Sequence, residues 1–320
     1  SADSNGGNIS FKVDRSSIRQ GNAVIAIKDV SDAILWSWHV WVTDEDINNV
    51  IEITNHQNVK YNFMPVNLGQ CDGNTITYEE RSCKVKFIAG DQSKEITIKQ
   101  LANVIATGSN APFYQWGRKD PLYPSNGMGN TTKIWYDKEG IPSTANPMKG
   151  TFSAGNDCIK NCILNPNLMH NRYNGDYTYY NLWSADNKTT SANDNPVNKT
   201  IYDPCPVGFK LPASNAFTGF TTTGESVSSS TQVNGTWSSS EKGWYFYTNS
   251  EKTQSIFFPA LGYRSYSTMR PGSIGTQGCF WSAHPVAKGN NYYLRTSSVD
   301  VQPTYMVDRG FGYALRPCQD

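Results

Sequence analysis

Seven cysteines and four histidines carry most of the reactive chemistry in this 320-residue chain, and their spacing limits what that chemistry can be. Cys158 and Cys162 stand four apart, which on a helix puts two thiols on one face, one turn from each other, a spacing compatible with metal binding. A zinc set needs further ligands close by. The nearest histidine, His170, follows alone after the break at Pro166, with no second cysteine pair, so packing on the helix face is the better reading and neither a metal nor a cofactor is expected. His39, His56 and His284 fall in unrelated contexts, and neither a nucleophile elbow nor a zinc motif is present. The acidic loop 43–49 alternates oxygen ligands around Asp44 and Asp46 but lacks the glycine and the later glutamate of an EF-hand. A solvated turn is the better reading there, with calcium the alternative.

The remaining cysteines suit pairing. Cysteines at this number in a loop-rich chain favour an oxidising compartment, and an odd total leaves at least one thiol over. Cys205 lies in Asp203-Pro204-Cys205-Pro206-Val207-Gly208-Phe209-Lys210-Leu211-Pro212, where the prolines fix the backbone into a rigid corner. A short apolar strand (Val207, Phe209, Leu211) follows the corner, and Ser214 is expected as N-cap of a brief helix through Phe217 and Phe220. Such a corner gathers chain ends, so a Cys205–Cys318 disulfide is expected. Cys71 and Cys83, at either end of the first arm of a hairpin, would close a local loop.

Aromatic residues in polar company are the other candidate chemistry, because they stack on sugar faces and anchor protein contacts. Trp183, Tyr179, Tyr180, Trp244 and Tyr266 are the expected exposed ligand-binding residues, whereas Trp36, Trp38, Trp237 and Trp281 belong to a core. Tyr114, Trp116 and Arg118 read as a packed aromatic strand with Arg118 anchoring a carboxylate or carbonyl, or alternatively as a ligand platform. With 17% charged residues and a net charge of +1, the chain has no basic field for nucleic acid. No apolar run approaches the ~20 residues that cross a bilayer, and the polar opening from Ser1 suggests a soluble mature product.

The elements that must position these residues are mostly strands. Abundant Gly, Tyr, Trp, Asn, Ser and Thr give a β-rich, loop-rich bias. Residues 1–21 carry one alternating patch and read as an N-terminal β arm, and 22–320 as a single domain with a β-hairpin insertion at about 70–104. The segment 34–42 is apolar on both alternation faces, which places it in the middle of the main sheet. The best helix signal runs over 154–164 and stops at Asn165-Pro166. Past the corner the sequence echoes itself: Trp237-Ser238, an aromatic strand and Gly262-Tyr263-Arg264 recur as Trp281-Ser282, an aromatic strand and Gly312-Tyr313 with Arg316. That echo predicts two similar hairpins side by side in one sheet.

Several of these motifs, in this order, resemble a known group. Trp38-His39-Val40-Trp41, the run from Met64 to Gly69, Tyr114-Gln115-Trp116-Gly117-Arg118-Lys119-Asp120-Pro121, the corner 203–212, Phe280-Trp281-Ser282 and Gly312-Tyr313-Ala314-Leu315-Arg316 are similar to the major paralogous domain first named in Fibrobacter succinogenes. The version in fimbrillin-like, cell-adhesion surface proteins of Bacteroidetes is the nearest in pattern, over roughly 22–320. The resemblance implies an α+β, mostly β, C-type-lectin-like fold with long loops and few short helices. It implies a lipoprotein or otherwise surface-located or secreted protein, with a lipid anchor upstream of this chain, whose partners are glycans or host or bacterial surface proteins. It carries over no catalytic residues, and a non-enzymatic adhesion or carbohydrate-binding role is the expectation. The alternative within the same fold is a formylglycine-generating-enzyme-like oxidase, for which Cys279 and Cys318 would be the cysteine pair.

Overall fold

The structure, a computed structural model, describes residues 10–71, 75–106, 110–127, 129–150, 156–170, 181–186 and 188–320. Among these the protein is α+β and mostly β, with one α-helix, Asn156–Leu164, and short 3-10 turns. None of its helices is long and apolar enough to cross a membrane.

The corner at 203–212 leads into the first of the small sheets that build the body. Phe209–Lys210, Cys318–Gln319, Lys60–Phe63 and Ile51–Thr54 lie side by side and antiparallel, so the last strand of the chain is an inner strand. A second four-stranded sheet orders Pro271–Gly272, Tyr263–Arg264, Gly312–Tyr313 and Tyr114–Gln115. The Gly-Tyr halves of the sequence echo meet here, at the Arg264 and Gly312 pair. Their Trp-Ser halves do not share a sheet. Gly235–Ser238, Gly243–Tyr247 and Ser255–Pro259 make one three-stranded meander, and Gly278–Pro285, Asn290–Thr296 and Val301–Asp308 make another. The duplication is therefore of meanders in separate sheets rather than of hairpins in one.

Aromatic side chains fill the space between the sheets. One apolar cluster contains Phe63, Phe217, Phe220, Phe246, Phe258 and Phe280, with Phe220 stacked on Phe246 at 4.0 Å between centroids and Phe280 edge-on to Phe258 at 5.0 Å. A second holds Tyr114, Trp116, Trp183, Trp281, Tyr293 and Tyr313, with Trp281 and Tyr313 4.4 Å apart. Each fully buried ring of this kind contributes roughly 1.5–3 kcal/mol of burial, with a further ~0.5–1.5 kcal/mol for a well-placed pair.

Three expectations about elements change. The strand Ile34–Val42 is not central: it pairs only with Gly21–Lys28, in a two-stranded sheet, and Leu35 and Trp38 are exposed. Both of its faces are partly covered, Trp41 packing on the aromatic core and Trp36 on Tyr202, while Leu35 and Trp38 reach solvent on opposite faces. Residues 10–14 form no strand, and residues 1–9 of the expected β arm lie outside the described residues. Ser214 opens a 3-10 turn (Ser214–Phe220) without capping it, and its hydroxyl instead bonds the backbone of Asn193.

Residues 75–106 form a long hairpin in two segments, Thr75–Tyr78 with Asn103–Ala106 and Arg81–Ala89 with Gln92–Gln100, and the Cys71 and Asn110 bridge closes its base. Phe87, Ile96 and Ile98 remain exposed on one face of the outer segment, and Lys84 pairs with Glu95 on the other. With both faces open, this segment has no core of its own.

Neither expected disulfide, Cys205–Cys318 or Cys71–Cys83, is formed. Cys71 is buried at the hairpin base while Cys83 is exposed on the outer segment, so the two are not brought together. Cys205 and Cys318 are both buried, but polar side chains pin the corner instead. The Asp203 carboxylate accepts from the Cys205 and Leu211 amides at 2.8 and 3.0 Å. The Lys199 ammonium donates to the carbonyls of Cys205, Pro206 and Phe209, the last two at 2.9 and 2.7 Å. One carboxylate and one ammonium thus satisfy five backbone groups of a segment whose prolines cannot donate.

Candidate functional site

Two places concentrate chemistry, and the more specific is built by a strand-helix-strand unit. Met148–Gly150 and Leu168–His170 run parallel, with the helix Asn156–Leu164 between them in sequence. The helix presents Cys158 and Cys162 on one face, and the second strand delivers His170 beside them. The two sulfurs and a ring nitrogen of His170 all lie within 4.8 Å of one another. Gly150, in register with His170, leaves room for the imidazole: a Cβ there would lie 3.3 Å from the ring.

A single turn from the opposite sheet fixes this arrangement. The Gln115 side chain clasps the His170 backbone, its amide donating to His170 O at 2.8 Å and its carbonyl accepting from His170 N at 3.0 Å. Arg118 donates to the carbonyls of Pro166 (2.8 Å) and Leu168 and to Gln115 Oε1 (3.2 Å), tying down the link between helix and strand. Gly117 makes the turn with a left-handed φ of +81°, and a Cβ at that position would run 2.4 Å from Leu182. Arg118 therefore anchors carbonyls, and Tyr114 and Trp116 are buried packing residues rather than a ligand platform.

The two thiols are not equivalent. A hydrogen bond from Cys158 holds the Cys162 thiol well below its ordinary range, with the Arg118 guanidinium and His170 adding to the effect against the cost of burial. Cys158 is raised by the same hydrogen bond and by burial. Of the two, Cys162 is the thiol whose thiolate form is favoured, and it faces Arg118 and His170. Sequence reasoning kept His170 apart because it counted along the chain across Pro166. The signal that could have joined them was the parallel pairing of two three-residue strands, which is too short to show a period.

The second place is a cleft of about 250 Å³ on the four-stranded sheet that contains the C-terminal strand. Its polar lining residues include Lys60, Tyr61, Asn62, Asp194, Lys210 and Asp320. Asp194 is held rigidly there, Oδ1 accepting from Asn55 Nδ2 and the Tyr61 hydroxyl, both at 2.7 Å, and Oδ2 from Asn215 Nδ2 at 2.8 Å. Burial first, then the Asp194 hydrogen bond, raises the Tyr61 phenol, so it stays a hydrogen-bond donor. Cys318 also lines the cleft, but burial pushes its thiol up to about 12 and keeps it protonated.

The aromatic residues expected at a binding surface fare otherwise. Trp183 and Trp244 are core residues, 0% and 1% exposed. Trp183 donates its indole N–H to the carbonyls of Arg118 and Tyr202, and Trp244 donates to Ser297 O. Polar sequence neighbours misled here because each indole needs a buried carbonyl partner, which polar loops provide. Tyr266 is half-buried, edge-on to Phe311 at 4.7 Å. Tyr179 and Tyr180 lie outside the described residues. In the acidic loop, Asp44 accepts from Gln20 and Asp46 from the Asn48 amide, and among the described residues the convergent set of metal-ligand types is the one at Cys158, Cys162 and His170.

Compared with protein families, with curated proteins and with solved structures, the chain matches none.

Proposed function

We propose that the chain is a non-enzymatic binding module of a bacterial cell surface, C-type-lectin-like in fold, that engages a glycan or a surface protein. The observation that carries this reading is the cleft beside the C-terminal strand. Its lining combines a carboxylate fixed by three hydrogen bonds and the Tyr61 hydroxyl bonded to it with Asn62, Asn195, Gln319, Asp320 and two lysines. Mixed donors and acceptors around a fixed carboxylate suit the hydroxyls of a sugar or the backbone of a peptide. The chemistry of a cysteine oxidase is poorly served by Cys279 and Cys318, since burial pushes both thiols up to about 12 and neither is accessible as a thiolate.

The test is a glycan array read alongside a thiol-oxidation assay, with the Asn62→Ala and Lys210→Ala variants as controls on the cleft. The expected result is binding without turnover, weakened at least tenfold in both variants while their far-UV circular dichroism is unchanged. Copper-dependent oxidation of a cysteine peptide, or binding indifferent to both substitutions, would sink the reading.

A further inference from the structure

We infer that Cys158, Cys162 and His170 form a zinc-class metal site that ties the helix Asn156–Leu164 to the strand Leu168–His170. This inference is independent of the cleft. Three ligand atoms within 4.8 Å of one another place a central ion no more than roughly 2.8 Å from each, against ~2.3 Å for a zinc–sulfur bond and ~2.0–2.1 Å for zinc–nitrogen. Side-chain torsions alone can supply the missing few tenths of an ångström. Two thiolates and an imidazole are soft and borderline ligands, which select zinc over calcium or magnesium.

Two rival readings are weaker. A disulfide needs Cβ atoms roughly 3.5–4.5 Å apart, whereas residues four apart on a helix hold theirs at about 5–6 Å, so closing the bridge would unwind a turn. Simple packing of two small thiols does not account for the charged neighbour. Arg118 is only 5% exposed, and its buried Nε has no hydrogen-bond partner among the described residues. Its other nitrogens serve Gln115 and two carbonyls, and a metal thiolate would supply the acceptor and counter-charge that Nε lacks.

The surroundings are those of a positioned ligand set. Gln115 fixes the His170 backbone from both sides, and Arg118 fixes the carbonyls two and four residues before it, so the imidazole is placed before any ion arrives. Among the described residues three side chains converge, which leaves one tetrahedral position for water or an exogenous ligand. On binding, whatever protons the two thiols carry leave to solvent, and both sulfurs bond the ion as thiolates.

Titration of the reduced, metal-stripped full chain with Co²⁺ tests this directly. The expected result is a sulfur-to-cobalt charge-transfer band with the visible bands of a tetrahedral site, saturating at a single equivalent and displaced by Zn²⁺. Cys158→Ser and Cys162→Ser should each remove most of the charge-transfer intensity. Gln115→Ala, which touches no ligand atom, should weaken Zn²⁺ binding by about 10–100-fold. Should a serine variant fail to fold, the Gln115→Ala affinity and the wild-type spectrum still decide the matter. The inference is overturned by an absent band, by a band that survives both serine substitutions, or by a mild oxidant linking Cys158 to Cys162 in the folded protein.

Discussion

His284 shows how a buried histidine makes this fold sensitive to acid. Its ring is fully buried, and Nδ1 accepts from the Ser214 amide at 3.2 Å. Burial outweighs the nearby Asn193, Asp194 and Asn195 and lowers its pKa from 6.5 to about 4. The same value holds for His39, where burial outweighs Asp120. The hydrogen bonds there accommodate the neutral form. The raised Tyr114 hydroxyl donates to Nδ1 at 2.8 Å, which leaves the proton on Nε2 to meet Asn22 Oδ1 at 2.7 Å. A histidine neutral in the fold but basic when unfolded stabilises fully above pH 6.5, and that contribution is lost as pH falls from 6.5 through 4. The loss between pH 7.5 and 4.5 is expected to be roughly 2–3 kcal/mol for His284. In His284→Asn, which keeps an acceptor for Ser214, urea unfolding at the two pH values should differ by that much less. An unchanged difference would show that His284 already titrates normally in the fold.

At the scale of elements, the corner and the hairpin make opposite predictions. The corner was legible in the sequence as a rigid bend because prolines act locally, but its fastening was not, since Lys199 and Asp203 resemble any loop charges until the amides and carbonyls they serve are in place. Removing Asp203 leaves two buried amides unpaired, so Asp203→Ala should cost about 3 kcal/mol, and Cys205→Ala about 1 kcal/mol. Reductant should leave the thermal midpoint where it is. A midpoint that falls on reduction would restore the Cys205–Cys318 bridge and reverse the ranking of the two variants. The hairpin 75–106 predicts the contrary behaviour. Its outer residues are exposed on both faces, so joining Cys71 to Asn110 through a short Gly-Ser turn should leave the rest of the body folded, with a midpoint shifted by only a few degrees. Collapse of near-ultraviolet dichroism in the excised protein would show that the hairpin shields part of the core.

For the whole molecule, the sequence conveys class and motif order well and assembly poorly. The aromatic strands, the helix ending at Asn165-Pro166 and the repeated Gly-Tyr pairs are local patterns, and each is present as a local element. What period and propensity could not convey is which short strands pair, because two-residue strands such as Tyr263–Arg264 and Gly312–Tyr313 have no period to read. Arg316 displays the consequence. It is 1% exposed, and its guanidinium donates to Asn67 Oδ1 at 2.7 Å and to the carbonyls of Met64, Pro65 and Phe257 at 3.2, 2.7 and 2.7 Å, 4.4 Å from the Phe258 ring. One side chain near the C-terminus thus joins the 64–67 loop to a meander strand. Burial lowers its pKa to about 9, so it remains charged at neutral pH and its partners depend on that charge. Arg316→Met keeps the apolar stem but strands those carbonyls, and should cost about 3–5 kcal/mol. Because the residue spans both parts, the loss should appear as a lower urea midpoint with an unchanged slope, at the same midpoint by tryptophan fluorescence and by far-UV dichroism. Two separated transitions would mean that the meander and the C-terminal sheet fold as independent units and that Arg316 only bridges them.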